Sequence, residues 1–304
     1  MDYIDLIEQI KVIVTDLGLK PLFAPLLSWA YYAGLHYWLA PYIILLIIER
    51  VIGRRERASR KDVTFNIVYL LIFTTILAFM QPELKSSVSW IASALGGPYI
   101  DLRFGANEEV LPNIAALIIY LFVFDCFYYW WHRFQHKTSI GWLTHKLHHV
   151  DENMGVTTTK KGHPLDPVGR TIAVFLPMAI VFNLEPINIA WIAFASGLQQ
   201  MFVHMNINCH LGWLNYVITL PNQHRIHHSV LLEHRDKNFA AFFPIMDVLF
   251  GTFVYPDKEA PHKGAPPTGI PTGEKLQTLW QAFTYPFYDV WQMWKKRTRL
   301  KSTI

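Results

Sequence analysis

The pattern H-x-x-H-H occurs twice in this 304-residue chain, as His145, His148 and His149 and again as His224, His227 and His228. A third pair, His132 and His136, stands in H-R-F-Q-H just upstream of the first copy. Eight of the fourteen histidines therefore fall within 132–149 and 224–228. On a helix, positions i, i+3 and i+4 share one face, so each copy presents three imidazoles toward a common point, and His132 with His136 adds two more. Imidazole suits zinc, copper, iron and nickel, and one tetrahedral zinc takes only four ligands, so eight clustered histidines imply two metal ions. A solvated histidine face would explain one such cluster, not three.

The elements that must position these histidines are apolar. Apolar residues make up 52% of the chain and charged residues 16%, with a mean hydropathy of +0.20. A soluble domain carries about 25% charged residues, so the composition excludes an ordinary soluble domain. Pro21 to Ile48 and Val63 to Gln81 carry no charge over about the 20 residues that cross the hydrocarbon. A third run, Val110 to Phe124, continues past Asp125 to Trp131 and ends at His132, so the first histidine pair caps a membrane helix. Thr171 to Leu184 and Pro186 to Val203, separated by Glu185, read as a hairpin that dips part-way into the membrane or just reaches the far interface. Either way it returns to the side it left, which places His204 on the same face as His132.

Charge sets the orientation. The stretch Arg50 to Lys61 holds Arg50, Arg54, Arg55, Arg57, Arg60 and Lys61, whereas the first twenty residues carry Asp2, Asp5, Glu8 and Asp16 against Lys11 and Lys20. By the positive-inside rule the basic loop is cytoplasmic, and two further crossings bring the histidines back to that side. The acidic opening lacks the basic start of a signal peptide. Pro82 to Glu109 reads as an extracytoplasmic loop with a short interfacial helix around Trp90. Near the end, Leu276, Leu279, Trp280, Phe283, Phe287, Trp291 and Trp294 recur at helical spacing before Lys295, Lys296, Arg297, Arg299 and Lys301. That helix, kinked near Pro286, lies either on the membrane surface or on the protein's own cap. Two cysteines, Cys126 and Cys209, build no disulfide framework and no Cys-type metal site. The net charge of +4 borders membrane spans, so it points to lipid headgroups rather than nucleic acid.

On these residues the chain resembles the fatty acid hydroxylase and sterol desaturase superfamily of membrane di-iron oxygenases. The resemblance covers roughly 119–256. It rests on Asp125 seven residues before His132-Arg133-x-x-His136, on His145 to His149, on His163-Pro164-Leu165-Asp166, on His204 with Asn206 after the hairpin, on Thr219 to Ser229 with its second H-x-x-H-H, and on Asp247-x-Leu249-Phe250-Gly251-Thr252. Thr219 stands one place earlier than the family's commonest spacing and touches no ligand.

The resemblance implies an all-helical, polytopic membrane bundle in which two irons lie in a cytoplasmic histidine-rich cap. It also implies a metal-ligand set of His132, His136, His145, His148, His149, His163, His204, His224, His227 and His228. Asp125, an acid at membrane depth and so a functional-site candidate, is expected to accept the free ring N–H of a ligating histidine. Asn206 either holds a metal through water, hydrogen-bonds a ligand or simply ends a helix. Arg133 and Arg225 are candidates to pair with acids such as Asp247. His36, His234 and His262 belong to no cluster, and His210, six residues after His204, points off its face.

The expected organisation is one integral-membrane domain over 1–304, with a catalytic core over 119–256 and an amphipathic, basic segment over 274–301. The expected reaction uses O2 to hydroxylate or desaturate a fatty acid- or sterol-type lipid. No flavin, haem or nicotinamide motif is present, so electrons are expected from a separate protein, a small cytochrome or a ferredoxin with its reductase. Ether-lipid cleavage of the alkylglycerol monooxygenase type is the runner-up, though that branch tends to carry Glu where Asn206 stands. From other classes, a zinc hydrolase would need an H-E-x-x-H, which is absent, and a metal transporter would place its ligands near the membrane midplane.

Overall fold

The computed structural model describes residues 35–54, 56–103, 114–184, 186–256 and 266–301. The acidic first twenty residues, the first part of the Pro21 to Ile48 run, Glu109 and His262 lie outside the described residues, as does the side chain of His36.

Five long helices organise the described residues, beginning with α1 (Leu35–Ile52), α2 (Arg60–Ala94) and α3 (Ile114–Lys137); the other two follow after several short elements. Ser59 starts α2 by accepting the Asp62 amide at 3.1 Å, a side-chain cap on an otherwise unpaired N–H. The loop with a short interfacial helix expected after Gln81 is instead a continuation of α2, which runs through Pro82 to Ala94. Proline removes one ladder hydrogen bond, and the helix-compatible residues on either side carry the helix across it. At 1.5 Å per residue α2 is about 50 Å long, well over the ~30 Å hydrocarbon core. Both α2 and α3 are long and apolar enough to cross a membrane, by length and composition. Their outer faces keep large apolar side chains uncovered, among them Leu71, Phe79 at 75% exposure, Ile118 and Phe122.

The short helices follow α3 closely: α4 (Ser139–His145), then a 3-10 turn (Lys146–His149), α5 (Leu165–Arg170), a π-turn (Thr171–Phe175) and α6 (Leu176–Val181). At Gly169, on α5, the Trp131 ring of α3 packs so closely that an added Cβ would lie 2.2 Å from it. Beyond α6, the strand β2 (Phe182–Asn183) pairs in parallel with β1 (Ile100–Asp101), Ile100 opposite Phe182. The turn of the hairpin meets the chain that follows α2, at the end of α3 where Leu102, Ala116 and Phe182 form one core. His132 is sixteen residues along α3 from Ala116, about 24 Å away.

The return arm is α7 (Pro186–His204), followed by α8 (Pro221–His227), α9 (Ile245–Leu249) and α10 (Leu279–Lys301). A second core, built from Tyr69, Phe73, Leu147, Val150, Ile270, Leu276, Ala282 and Tyr285, joins α2 to the histidine cap and α10. Buried Lys146 fastens α10 through Asp289 at 2.5 Å and reaches Glu274 at 2.8 Å. Helix α10 packs one face on the protein and leaves the other uncovered. Ala282 and Tyr285 pack on the cap, whereas Trp280, at 78% exposure, Phe287 and Trp294 face outward. Pro286 lies inside one continuous helix.

Candidate metal centre

Nine histidines converge, and they do so as two groups. His132, His136, His145, His149 and His227 form one; His148, His204, His224 and His228 form the other; within each, one ring nitrogen per residue lies within 4.8 Å of all the others. Each H-x-x-H-H is therefore divided between the groups rather than aimed at one point. The cause is helical phase. Neighbouring residues on an α-helix diverge by about 100°, so His227 and His228 part, whereas His224 and His228, one turn apart, share the second group. In the first copy α4 ends at His145, and the tighter 3-10 turn separates His148 from His149.

Local capping sets where these turns begin. Thr138 caps α4 by accepting the Gly141 amide at 3.0 Å. Pro221 opens α8, while Gln223 reaches back to accept the Leu220 amide at 2.7 Å. Gln135, between His132 and His136, is gripped by Asp166 at 2.6 Å, and Arg170 also binds Asp166. The last residue of the His163-to-Asp166 motif thus holds α3 in place.

Three of these histidines are oriented by backbone carbonyls. His132 Nδ1 donates to Phe239 at 2.7 Å, His204 Nδ1 to Gln200 at 2.6 Å and His227 Nδ1 to Lys237 at 2.9 Å. A carbonyl only accepts, so each Nδ1 carries the proton and each Nε2 turns a lone pair into its group. The Nε2 of His204 lies 3.1 Å from the Nε2 atoms of both His148 and His224, and His132 Nε2 lies 3.1 Å from His145 Nε2. That is the spacing of neighbouring nitrogens about 2.1 Å from one shared cation. The Nε2 atoms of His136, His149 and His227 are buried without a hydrogen-bond partner, an arrangement costly to the protein alone. The residues therefore fit a bound cation in each group.

Burial first, and the neighbouring imidazoles next, hold His145, His148, His149, His224, His227 and His228 well below the usual imidazole range. They are neutral at pH 7, the form that binds metal. Neither group contains a carboxylate.

The remaining site candidates lie around these groups. His163 stands outside both: its Nδ1 accepts the Leu165 amide at 3.2 Å, leaving Nε2 to donate to Phe283 O at 3.2 Å, so neither nitrogen is free. Asn206 is also turned away, its Oδ1 accepting from Arg225 at 3.1 Å and its Nδ2 donating to Glu56 O at 2.5 Å. Asp125 touches no histidine. It lies about 10 Å along α3 from His132 and accepts the amides of Ala241, Phe242 and Phe243 at 2.8, 3.1 and 2.6 Å. Asp247 accepts those of Phe239 and Ala240 at 2.8 and 2.9 Å. The expected ring contact of Asp125 is thus replaced by a strap, 239–243, whose first carbonyl orients His132. Arg133 reaches Asp247 only through Tyr129 and Thr252. The strap carbonyls escaped sequence reading because backbone carries no residue identity; Asp247 in its motif was the one visible trace. His210 and His234 join neither group.

Comparison with known proteins places residues 117–252 within the fatty acid hydroxylase family model. The chain is 33% identical to an alkylglycerol monooxygenase of Xenopus tropicalis over 44% of its length, and 31% identical to the Homo sapiens protein over 42%. These matches span only 29% and 28% of the relatives' own lengths. The ornithine lipid hydroxylase OlsE of Rhizobium tropici is 22% identical, over 82% of this chain and 74% of its own. No solved structure matches.

Proposed function

Because the chain belongs to the fatty acid hydroxylase superfamily, we propose that it is an integral-membrane, O2-dependent lipid oxygenase with two irons, one in each histidine group. The observation that carries this reading is the carboxylate-free pair of groups, nine imidazoles within one buried cap. A zinc hydrolase of the H-E-x-x-H kind carries its Glu base inside that motif, and none of the three histidine clusters has one. Bound iron supplies, with O2 and electrons, an oxidant able to act on an unactivated C–H bond. The net hydroxylation is RH + O2 + two electrons + two protons giving ROH and water.

The protein's own contribution is position and dryness. Carbonyls of Phe239, Lys237 and Gln200 hold three imidazoles in one tautomer, and the strap fixed by Asp125 and Asp247 keeps the Phe239 carbonyl in place. The core of α3, α6 and α7 excludes water on the apolar side. In the reading we propose, the histidines and α10 are cytoplasmic, the lipid approaches along the membrane, and a separate cytochrome or ferredoxin delivers electrons at the basic cap. The catalytic core is 119–256, within a single domain over 1–304, and 274–301 is its basic, membrane-facing end.

Mass spectrometry of lipid extracts from cells with and without the chain tests this: a species gaining one oxygen, or losing two hydrogens, is expected. Unchanged extracts together with iron-free purified protein would overturn it. The alkylglycerol monooxygenase similarity favours one second reading, oxidation of the carbon beside an ether oxygen. Release of aldehyde from an added alkylglycerol would select it.

A further inference from the structure

A cavity of about 380 Å³ opens between α1, the start of α2 and the segment 153–157. Its walls are of two kinds. Ile43, Leu46 and Ile47 supply an apolar side, and Arg50, Arg54 and Arg57 supply a cationic one. The single carboxylate on the wall, Glu49, is already engaged, its Oε2 accepting the amides of Val156 at 2.9 Å and Asn206 at 2.8 Å. Glu49 acts on Arg57, and Glu56 on Arg54, only at a distance; among the described residues none of the three arginines forms an ion pair. Arg57 donates only to the carbonyls of Arg50 and Arg54, and among the described residues the Arg50 side chain has no partner. Arg54 is held by Asn208 and Asn222, at 3.3 and 3.0 Å, with its Nε buried and unpaired. Three cations around one hole, one with an orphaned donor, call for an anion; apolar side chains beside them call for a chain attached to it.

Asn206, two residues beyond His204, also lines this cavity, and its Oδ1 accepts from Arg225, next to His224. We propose that this cavity binds the phosphate or carboxylate of a membrane lipid headgroup, its acyl chain lying along Ile43, Leu46 and Ile47, so that the enzyme selects lipids with an anionic head. This deepens the lipid-oxygenase reading and rests on it only for the bound lipid's being the one oxidised. The binding itself does not depend on the chemistry.

The test uses the full-length, metal-loaded protein in phosphatidylcholine nanodiscs containing either phosphatidylglycerol or diacylglycerol, with bound lipid counted by native mass spectrometry. The variants are the double change Arg50→Gln with Arg57→Gln, and Lys295→Gln as a control for basic surface elsewhere. Wild type and the control should retain phosphatidylglycerol over diacylglycerol. The double variant should lose that preference at least fivefold with unchanged iron content. Equal retention by the double variant, or equal loss in the control, would overturn the proposal. Millimolar inorganic phosphate is the third arm: if it displaces the lipid completely, the site is one for free anions and the lipid assignment fails. Selective lipid retention without any oxidised lipid would sink the oxygenase reading while leaving the site standing. Oxidation with unaltered headgroup preference in the double variant would do the reverse.

Discussion

Asp125 and Asp247 divide five consecutive amide N–H groups between them, Asp125 taking those of 241–243 and Asp247 those of 239 and 240. Two residues that are distant in sequence thereby clamp one stretch of backbone, and that stretch orients His132 from Phe239. Three of the clustered histidines are oriented in this way by main-chain carbonyls.

Asp125→Asn removes the charge that three amides share, and an amide side chain cannot accept from all of them without turning its NH2 toward one. Leaving a buried N–H unpaired costs about 1–3 kcal/mol. Melting temperature should fall, and metal affinity should fall with it by about 10 to 100-fold. Normal affinity in a destabilised variant would mean that the strap serves the fold alone.

His149 and His228 stack with centroids 4.1 Å apart, one from each group, so the two groups adjoin. Since His148 and His227 belong to different groups, His148→Ala and His227→Ala should each abolish turnover while lowering iron from two toward one per chain. His234→Ala should leave both unchanged. Activity near wild type in either of the first two would break the two-group assignment.

Both nitrogens of His163 are occupied by Leu165 and Phe283. His163→Asn should accordingly keep the full iron content and cost about 1 kcal/mol of stability. Iron analysis decides it: loss of one equivalent would make His163 a ligand.

The buried imidazoles predict a pH dependence with a definite sign. His145, His148, His149, His224, His227 and His228 are depressed by burial, whereas unfolded imidazole titrates near about 6.5. Below that pH the unfolded chain binds more protons than the folded one, so stability falls as pH drops. The melting temperature of metal-free protein should decline between about pH 7.5 and 5.5, and that of metal-loaded protein more steeply, because protons also compete for the ligand nitrogens. A flat profile would contradict the neutral, buried cluster.

The proposed topology puts the far half of α2 and the histidine cap on opposite sides of the membrane. In a background without Cys126 and Cys209, cysteine at exposed Ser87 should react with an impermeant reagent on intact cells. Cysteine at Leu232, 80% exposed, should react only after permeabilisation. Labelling of both from outside would exclude the shared cytoplasmic face.

Much of this was written in residue types. Metal-binding histidines are few in kind and tight in spacing, and charge-free runs announce helices that water would not tolerate, so α2, α3 and the three histidine clusters were legible one residue at a time. Side-chain chemistry is local, and a motif preserves it. Assignment of each histidine to a group was not legible. It depends on where α4 gives way to a 3-10 turn and where α8 ends, because each residue along a helix turns the side chain by about 100°. Nor did any letter announce that Phe239, Lys237 and Gln200 would orient clustered histidines, since a carbonyl is common to every residue. The continuation of α2 through Pro82, the inward turn of His163 onto Phe283, and the strap under two aspartates were decided by tertiary packing, because only packing determines which backbone groups meet which side chains.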